Sequence, residues 1–165
     1  MLPLAVVFEF ALALSTFGRM LHQGHSLRIL GSAVSEELKA PVKALVDRNH
    51  GIRAAVFADL DGEDIVAYPL AERPTLRHCA AYAGIALRRL AVAERLAGRS
   101  PVHELTLQGD EGGFITVAVA DNYQLAATVS GSYGTGEFLQ PLREAASMIE
   151  AQLKMSNTGI GSTPE

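Results

Sequence analysis

The sequence predicts an α/β domain whose elements follow the order helix, two strands, helix, three strands, helix. Short β-prone runs occur first as a pair and then as a trio, and a long amphipathic stretch separates the two groups. The middle run of the trio is apolar at both odd and even positions, so both of its faces must be covered. Helices are the only elements left to cover them.

Composition limits the chain to one domain and a few classes of function. With 165 residues, of which 48% are hydrophobic, the chain can bury one core. Its formal net charge of -4, from 14 Lys and Arg against 18 Asp and Glu, leaves no electrostatic footprint for nucleic acid. The single cysteine, Cys79, cannot form an internal disulfide, so we expect a reducing compartment and place the protein in the cytoplasm.

The N-terminal residues 2–18 are apolar apart from Glu9, Ser15 and Thr16. This run is shorter than the roughly 18–20 residues of a membrane-spanning helix and has no secretory cleavage signal. Three interpretations stay open: an extra helix that packs on the domain or its partner, a membrane-associated segment, or a translation start at Met20. The predicted organisation is an apolar, helical extension over 1–26, a folded domain over 27–155 and a polar tail over 156–165.

The first helix of the domain is predicted from apolar residues at helical spacing, among them Leu38, Val42 and Leu45. Ser35 is the expected N-cap, and Gly51 is the expected C′ glycine that ends the helix. Pro41 removes an internal hydrogen bond, so the helix either kinks there or begins near it.

The next two runs, 52–58 and 65–68, are predicted to form a hairpin whose Asp61-Gly62 turn needs positive φ. Carboxylates crowd this turn, and the segment also resembles the D-x-D-G motif of haloacid dehalogenase-type phosphatases. In that alternative Asp59 would be the nucleophile and Asp61 the general acid/base. Glu63 stands where those enzymes have Thr or Val, and no later acidic pair follows a strand to hold magnesium. We therefore expect a structural turn and keep the metal-dependent site as the alternative.

The long helix is predicted to run from Thr75 to a stop at Gly98 and to have two apolar faces. One face consists of Leu76, Ala80, Ala83, Leu87 and Leu90. The second consists of Tyr82, Ile85, Val92 and Leu96, and only Arg89 interrupts it. Small residues between the faces, Ala81, Gly84, Ala86, Ala91 and Ala93, would let another helix approach closely. A surface helix of a monomer needs one apolar stripe, so the second stripe predicts a partner.

The remaining runs, 102–108, 113–120 and 124–129, are predicted strands, and a last helix follows over 137–155. The first of these strands alternates apolar and polar residues and follows Pro101, which is typical of an edge strand. The loop before the last helix has glycines at Walker A spacing, Gly131 and Gly136. Glu137 occupies the lysine position of that motif, and its carboxylate would repel phosphate, so we expect an ordinary connecting loop.

The segments LVDRNHGIRAAVFADLDGEDIVAY and GFITVAVADNYQLAATV, with the alanine-rich helix between them, resemble the roadblock family. That family includes the dynein light chain called roadblock and the bacterial gliding regulator MglB. The resemblance covers residues 27–153 and implies a five-stranded antiparallel sheet between helices, of the roadblock/profilin-like kind. It also implies a non-enzymatic homodimer without a cofactor, paired through the long helix and the edge strand after it. Such a dimer binds a Ras-like small GTPase, or a scaffold complex, and modulates the nucleotide cycle or localisation of the GTPase.

These expectations select two sets of residues. The predicted dimer interface consists of Tyr82, Ile85, Arg89, Val92, Leu96, Glu104 and Thr106. The predicted partner-binding residues are Arg88, Arg89 and Arg95. No residue is predicted to be catalytic or to bind a metal or cofactor, and membrane association is expected only through the N-terminal segment.

Overall fold

A computed structural model describes residues 32–158 of the chain. The prediction for the extension over 1–26 lies outside these residues, and so does most of the predicted tail. The helices are α1 (Ser32–Arg48), α2 (Arg73–Leu96) and α3 (Leu139–Thr158). The strands are β1 (Ile52–Asp59), β2 (Asp64–Tyr68), β3 (Glu104–Gly109), β4 (Gly112–Val119) and β5 (Tyr123–Ser130). Short 3-10 turns at Leu70–Glu72 and Thr135–Phe138 precede α2 and α3.

The five strands form one antiparallel sheet in the order β2-β1-β5-β4-β3. This confirms the predicted fold class, and it places β3 at an edge as the sequence indicated. β2 forms the other edge. The two hairpins, β1–β2 and β3–β4, therefore lie on opposite sides of β5, which joins them into one sheet.

Helices cover both faces of the sheet. Leu76, Ala80 and Ala83 of α2 pack with Val56 of β1 and Phe114 of β4 in one buried cluster. The neighbours of these strand residues point the other way and are also fully buried, as Phe57 and Ile115 are. The helices α1 and α3 contact the strands on that second face and contact each other.

Two predictions about α1 are wrong. The helix begins at Ser32, so Ser35 lies inside it and is not its N-cap. Gly51 does not adopt a positive φ. It is required for space, because a Cβ at Gly51 would clash with the ring of Phe138. Pro41 lies within the helix, since Leu38 and Val42 on either side of it are both buried and hold the helix against the sheet.

The turn predictions for the remaining elements are confirmed at two glycines. Gly62 has φ +85° in the β1–β2 turn, and Gly98 has φ +69° just after α2. Both values lie in the left-handed region that glycine adopts without a Cβ penalty. The last helix extends through Thr158, into the segment predicted to be a tail, and starts as a 3-10 turn before Leu139.

Candidate functional site

The helix α2 has the two faces that the sequence predicted. Leu76, Ala80, Ala83 and Leu87 are buried against the sheet. On the opposite side the apolar residues stay in water: Tyr82 is 75% exposed, Ile85 42%, Val92 43% and Leu96 85%. Leu90, predicted for the buried face, is 37% exposed. We call Tyr82, Ile85, Arg89, Val92 and Leu96 the outward face of α2.

The small residues of α2 serve a contact that the sequence did not indicate. They were expected to admit a second helix, but the backbone of Gly84 abuts the carbonyl of Leu60 and the amide of Gln124. Ala81 lies against Gly62, where an added Cβ would come within 2.5 Å of the Ala81 Cβ. The close approach at Ala81 and Gly84 is therefore between α2 and the β1–β2 turn.

A buried glutamine, Gln124, fixes this approach. Its amide nitrogen donates to the carbonyl of Asp59 at 3.0 Å and to that of Ala80 at 2.8 Å, and its oxygen accepts from the Thr116 hydroxyl at 3.2 Å. The side chain is fully buried, so these bonds compensate for removing its amide from water. Sequence analysis missed Gln124, because a single polar residue at the start of a strand gives no local signal of burial.

The predicted interface residues of β3 lie on the far side of the sheet from α2. Glu104 is opposite Val117 and Thr106 is opposite Ile115, which places both side chains on the face that α1 and α3 cover. Arg143 of α3 donates to both oxygens of Glu104, at 2.5 and 2.6 Å. This hydrogen bonding lowers the pKa of Glu104 below its ordinary value.

The apolar residues of β3 point toward the α2 side. Leu105 is opposite Thr116 and Leu107 is opposite Phe114, a member of the cluster under α2. Leu107 is 55% exposed. The predicted interface omitted these two leucines, although the alternation of the strand, which separates them from Glu104 and Thr106, was the signal that could have found them. The structure thus brings the five α2 residues of the predicted interface together and separates them from the two side chains on β3.

The three arginines predicted to bind a partner have different surroundings. Arg88 donates to the Asp61 carboxylate at 2.7 Å and is tied to the β1–β2 turn. Arg89 lies in the outward face, between Ile85 and Val92. Within residues 32–158, the side chains of Arg89 and Arg95 have neither a hydrogen bond nor an ion pair.

The carboxylates of the β1–β2 turn are engaged within the domain. One oxygen of Asp59 accepts from the backbone amides of Asp61 and Glu63, at 2.9 and 2.8 Å. Asp64 is only 5% exposed in its side chain and pairs with Arg73 at 2.6 Å. No group of three or more His, Cys, Asp or Glu side chains in the described part of the chain is arranged to hold a metal ion. The arrangement supports a turn held by side chain to backbone bonds.

Two backbone amides of the loop before α3 already donate to side chains. The Glu137 carboxylate accepts from the Gly134 amide at 3.2 Å, and the Thr135 amide donates to the side chain of Gln108 at 3.0 Å. The residue at the Walker A lysine position therefore takes up an amide that a phosphate would need. Among the described helices, none combines the length and the apolar character that crossing a membrane requires.

These features define the chain as an α/β domain with a roadblock/profilin-like fold, in which α2 has an exposed apolar face and β3 forms an edge of the sheet. No protein-family model and no curated protein sequence matches the chain. A solved structure described as MglB with tetrameric arrangement is similar to it, with 17% identity, a TM-score of 0.67, and coverage of 76% of this chain and 94% of that one. The MglB gliding protein of Thermus thermophilus matches with 16% identity and a TM-score of 0.66, over 76% of this chain and 95% of its own.

A Roadblock/LC7 domain from Streptomyces avermitilis is also similar, with 17% identity and a TM-score of 0.63, over 72% of this chain and 98% of that domain. All these matches support the resemblance that the sequence indicated. At such identities, what the chain shares with them is the fold.

Proposed function

We propose that the chain is a non-enzymatic binding module that forms a homodimer and regulates or positions a Ras-like small GTPase in the cytoplasm. The observation that carries the proposal is the outward face of α2, which keeps four large apolar side chains in water. The β3 edge of the sheet, which pairs with no other strand within residues 32–158 besides β4, is the second surface. Exposed apolar residues scattered singly need no explanation, but a contiguous row on one helix face is typical of a protein interface.

The dimer is supported by the kind of surface that α2 presents. An isologous interface uses the same patch on both copies, so the patch must complement itself. A row of Tyr, Ile, Val and Leu meets this condition, because apolar side chains pack against their own kind without a charge conflict. Arg89 lies within the row, where an arginine can stack on a neighbouring aromatic or remain at the rim.

The small GTPase is supported by the fold and by charge. The chain shares its fold with MglB and Roadblock/LC7 structures. Arg89 and Arg95 also leave two cations on α2 without an acidic partner among the described residues, which suits a partner surface that carries carboxylates. The contribution of Arg88 is smaller in this proposal, because Asp61 already neutralises it.

The dimer is tested by light scattering on a sizing column at micromolar concentration. The wild type should have about twice the mass of 17.5 kDa. Ile85→Asp should be monomeric and folded, since it would bury an unpaired charge at the contact. The matched control is Met148→Asp, because Met148 is an exposed apolar residue of α3, at 56%, outside the proposed interface. A monomeric wild type contradicts the proposal.

The partner is tested by pull-down and GTP hydrolysis with a Ras-like small GTPase of the same organism. Arg88→Glu/Arg89→Glu should remain dimeric but bind more weakly, and the loss should shrink at high salt. Asp61→Asn is the control, since it removes the Asp61–Arg88 ion pair without changing the charge of either arginine. If the double variant binds as well as the wild type, these arginines are not part of the GTPase site.

A further inference from the structure

The Asp61–Arg88 ion pair joins the β1–β2 turn to the side of α2 that carries two of the proposed partner-binding arginines. Arg88 donates to the Asp61 carboxylate at 2.7 Å, although the two residues are 27 positions apart in the sequence. Arg95 lies about two turns further along α2, on the same side of the helix as Arg88. Within residues 32–158, the Arg95 side chain has no hydrogen bond or ion pair. Of the two arginines on this flank, only Arg88 is thus neutralised by an acid of the described residues.

The backbone on either side of Asp61 is fixed against α2. The residue before it contacts Gly84, because a Cβ added to Gly84 would lie 2.1 Å from the Leu60 carbonyl oxygen. The residue after it, Gly62, lies against Ala81, and a Cβ added to Gly62 would lie 2.5 Å from the Ala81 side chain. The Asp61 carboxylate therefore stays within reach of its arginine even when the two side chains are not paired. A group held in this way competes as if it were present at high concentration.

The turn does not depend on the ion pair for its structure. The Asp59 carboxylate accepts two backbone amides of the turn, and Gln124 joins the Asp59 carbonyl to that of Ala80 in α2. The Asp61 side chain is 68% exposed and the Arg88 side chain 34%. Water screens such a pair, and an exposed ion pair changes an equilibrium constant by at most about fivefold. Arg88 can therefore exchange Asp61 for another acid while the turn stays folded.

We propose that Asp61 is a built-in competitor of the partner at Arg88, an inference that rests on the proposed binding of an acidic GTPase surface to α2. While Asp61 holds Arg88, an incoming carboxylate meets a neutral pair, and Asp61 repels it. Binding at this position requires the carboxylate to replace Asp61. Arg95 offers its charge without such an exchange. Asp61 therefore lowers the affinity of the site and restricts the use of Arg88 to partners that place an acid directly at it.

A positioning role for Asp61 predicts the opposite sign. An acid that orients an arginine for its partner raises the affinity, so removal of the acid weakens binding. The geometry favours competition, because Asp61 contacts Arg88 through the Nη1 nitrogen alone. A single hydrogen bond lets the guanidinium turn about it, whereas a bidentate pair would fix the guanidinium plane. Asp61 thus neutralises the charge of Arg88 more than it sets the direction of its donors.

A measurement without any partner tests whether Asp61 occupies Arg88. Full-length wild type and Asp61→Asn are treated with phenylglyoxal, which modifies accessible arginines, and the modified positions are followed by mass spectrometry. Arg88 should react several-fold faster in Asp61→Asn, and Arg95 should react at the same rate in both proteins. Glu63→Gln is the matched control, since it removes another exposed carboxylate of the turn that is paired with no arginine of the described residues. Equal rates at Arg88 in wild type and Asp61→Asn overturn the proposal.

Affinity for the GTPase decides the sign of the effect. The probe is a Ras-like small GTPase of the same organism, titrated calorimetrically at low and at high salt. Asp61→Asn should bind about two- to fivefold more tightly than the wild type at low salt, and high salt should abolish the gain. Glu63→Gln should show a smaller gain, because it removes repulsion without releasing an arginine. The double variant Asp61→Asn/Arg88→Gln should bind no more tightly than Arg88→Gln, because the gain acts through Arg88.

The outcomes separate this proposal from the proposed function. If Asp61→Asn binds more weakly than the wild type, or if its gain persists without Arg88, Asp61 is not a competitor, and the GTPase proposal still stands. If the wild type does not bind the GTPase, the proposed function fails, and the competitor proposal fails with it even where phenylglyoxal shows that Asp61 occupies Arg88. Urea unfolding of Asp61→Asn should give nearly the wild-type midpoint. A large loss of stability would make the ion pair structural and would also overturn the proposal.

Discussion

The two edges of the sheet differ in how they are protected. β2 is covered on both faces, with Val66 and Ala67 each 7% exposed, and it ends directly before Pro69. At its ends Asp64 pairs with Arg73, and Lys43 of α1 lies 4.9 Å from the ring centre of Tyr68. β3 has four exposed residues in a row after Leu105 and shows no comparable cover among the described residues.

This difference indicates which edge of the sheet is protected against association with another strand. A sheet edge with unpaired backbone groups invites association, and proteins block it with helices, charges or prolines where association is harmful. β2 carries such protection, and within residues 32–158 β3 shows none, although β3 also presents an exposed leucine. The β3 edge is therefore the edge at which association with another strand is expected.

The largest expected effect is at the turn that closes the β2 edge. Gly62→Val should lower the free energy of unfolding by on the order of 3 kcal/mol, because it adds strain at positive φ to a clash with Ala81. Gly98→Val is the matched control: φ is also positive there, but nothing lies within 4 Å of an added Cβ. Urea unfolding should show the smaller loss at Gly98. Equal losses would mean that the contact with Ala81 is unimportant.

A proline at the open edge should separate folding from association. Thr106→Pro removes an N–H that points away from the sheet, so the monomer should keep nearly its full stability while the dimer dissociates at least tenfold more readily. Leu107→Pro removes an N–H that bonds to β4 and should lower stability as well. Thermal melting with light scattering distinguishes the two variants. A fully dimeric Thr106→Pro protein would show that the edge is not part of the interface.

The features that the sequence predicts correctly are those that depend on residues close together in the chain. Apolar residues recur about every two residues in a strand and about every 3.6 residues in a helix. These local patterns predicted the element order, the edge position of β3 and both faces of α2. The start of α1 was predicted just after Ser35 but lies at Ser32, because a serine before two glutamates is a common N-cap pattern and still does not fix where a helix begins. The roles of Gly84 and Gln124 depend on contacts with Leu60 and Asp59, which are distant in sequence. A single sequence contains no local signal for such contacts.

A smaller effect is expected at Asp59, which organises the turn of the closed edge. Asp59→Ala removes the acceptor of the Asp61 and Glu63 amides and should cost about 1 kcal/mol. Asp59→Asn keeps a carbonyl oxygen in place and should cost less, with partner binding nearly intact. Calorimetric titration with calcium and magnesium is the second measurement. Tight metal binding that is lost in Asp59→Asn would contradict a purely structural role and favour the metal-dependent alternative.

The smallest expected effect is the pH dependence of the Glu104–Arg143 pair, which anchors the open edge to α3. Hydrogen bonding from Arg143 lowers the pKa of Glu104 from its ordinary value of 4.5. The unfolded chain therefore binds more protons between the two pKa values, so the contribution of the pair to stability is present above pH 4.5 and is lost as the pH falls through the folded pKa. Water screens this exposed pair, so the change should be small and should shrink further in salt. Urea midpoints of the wild type and Glu104→Gln, measured from pH 6 down to about pH 3, should converge at the acid end. A constant difference across that range would show that Glu104 stabilises the strand by packing and not by its charge.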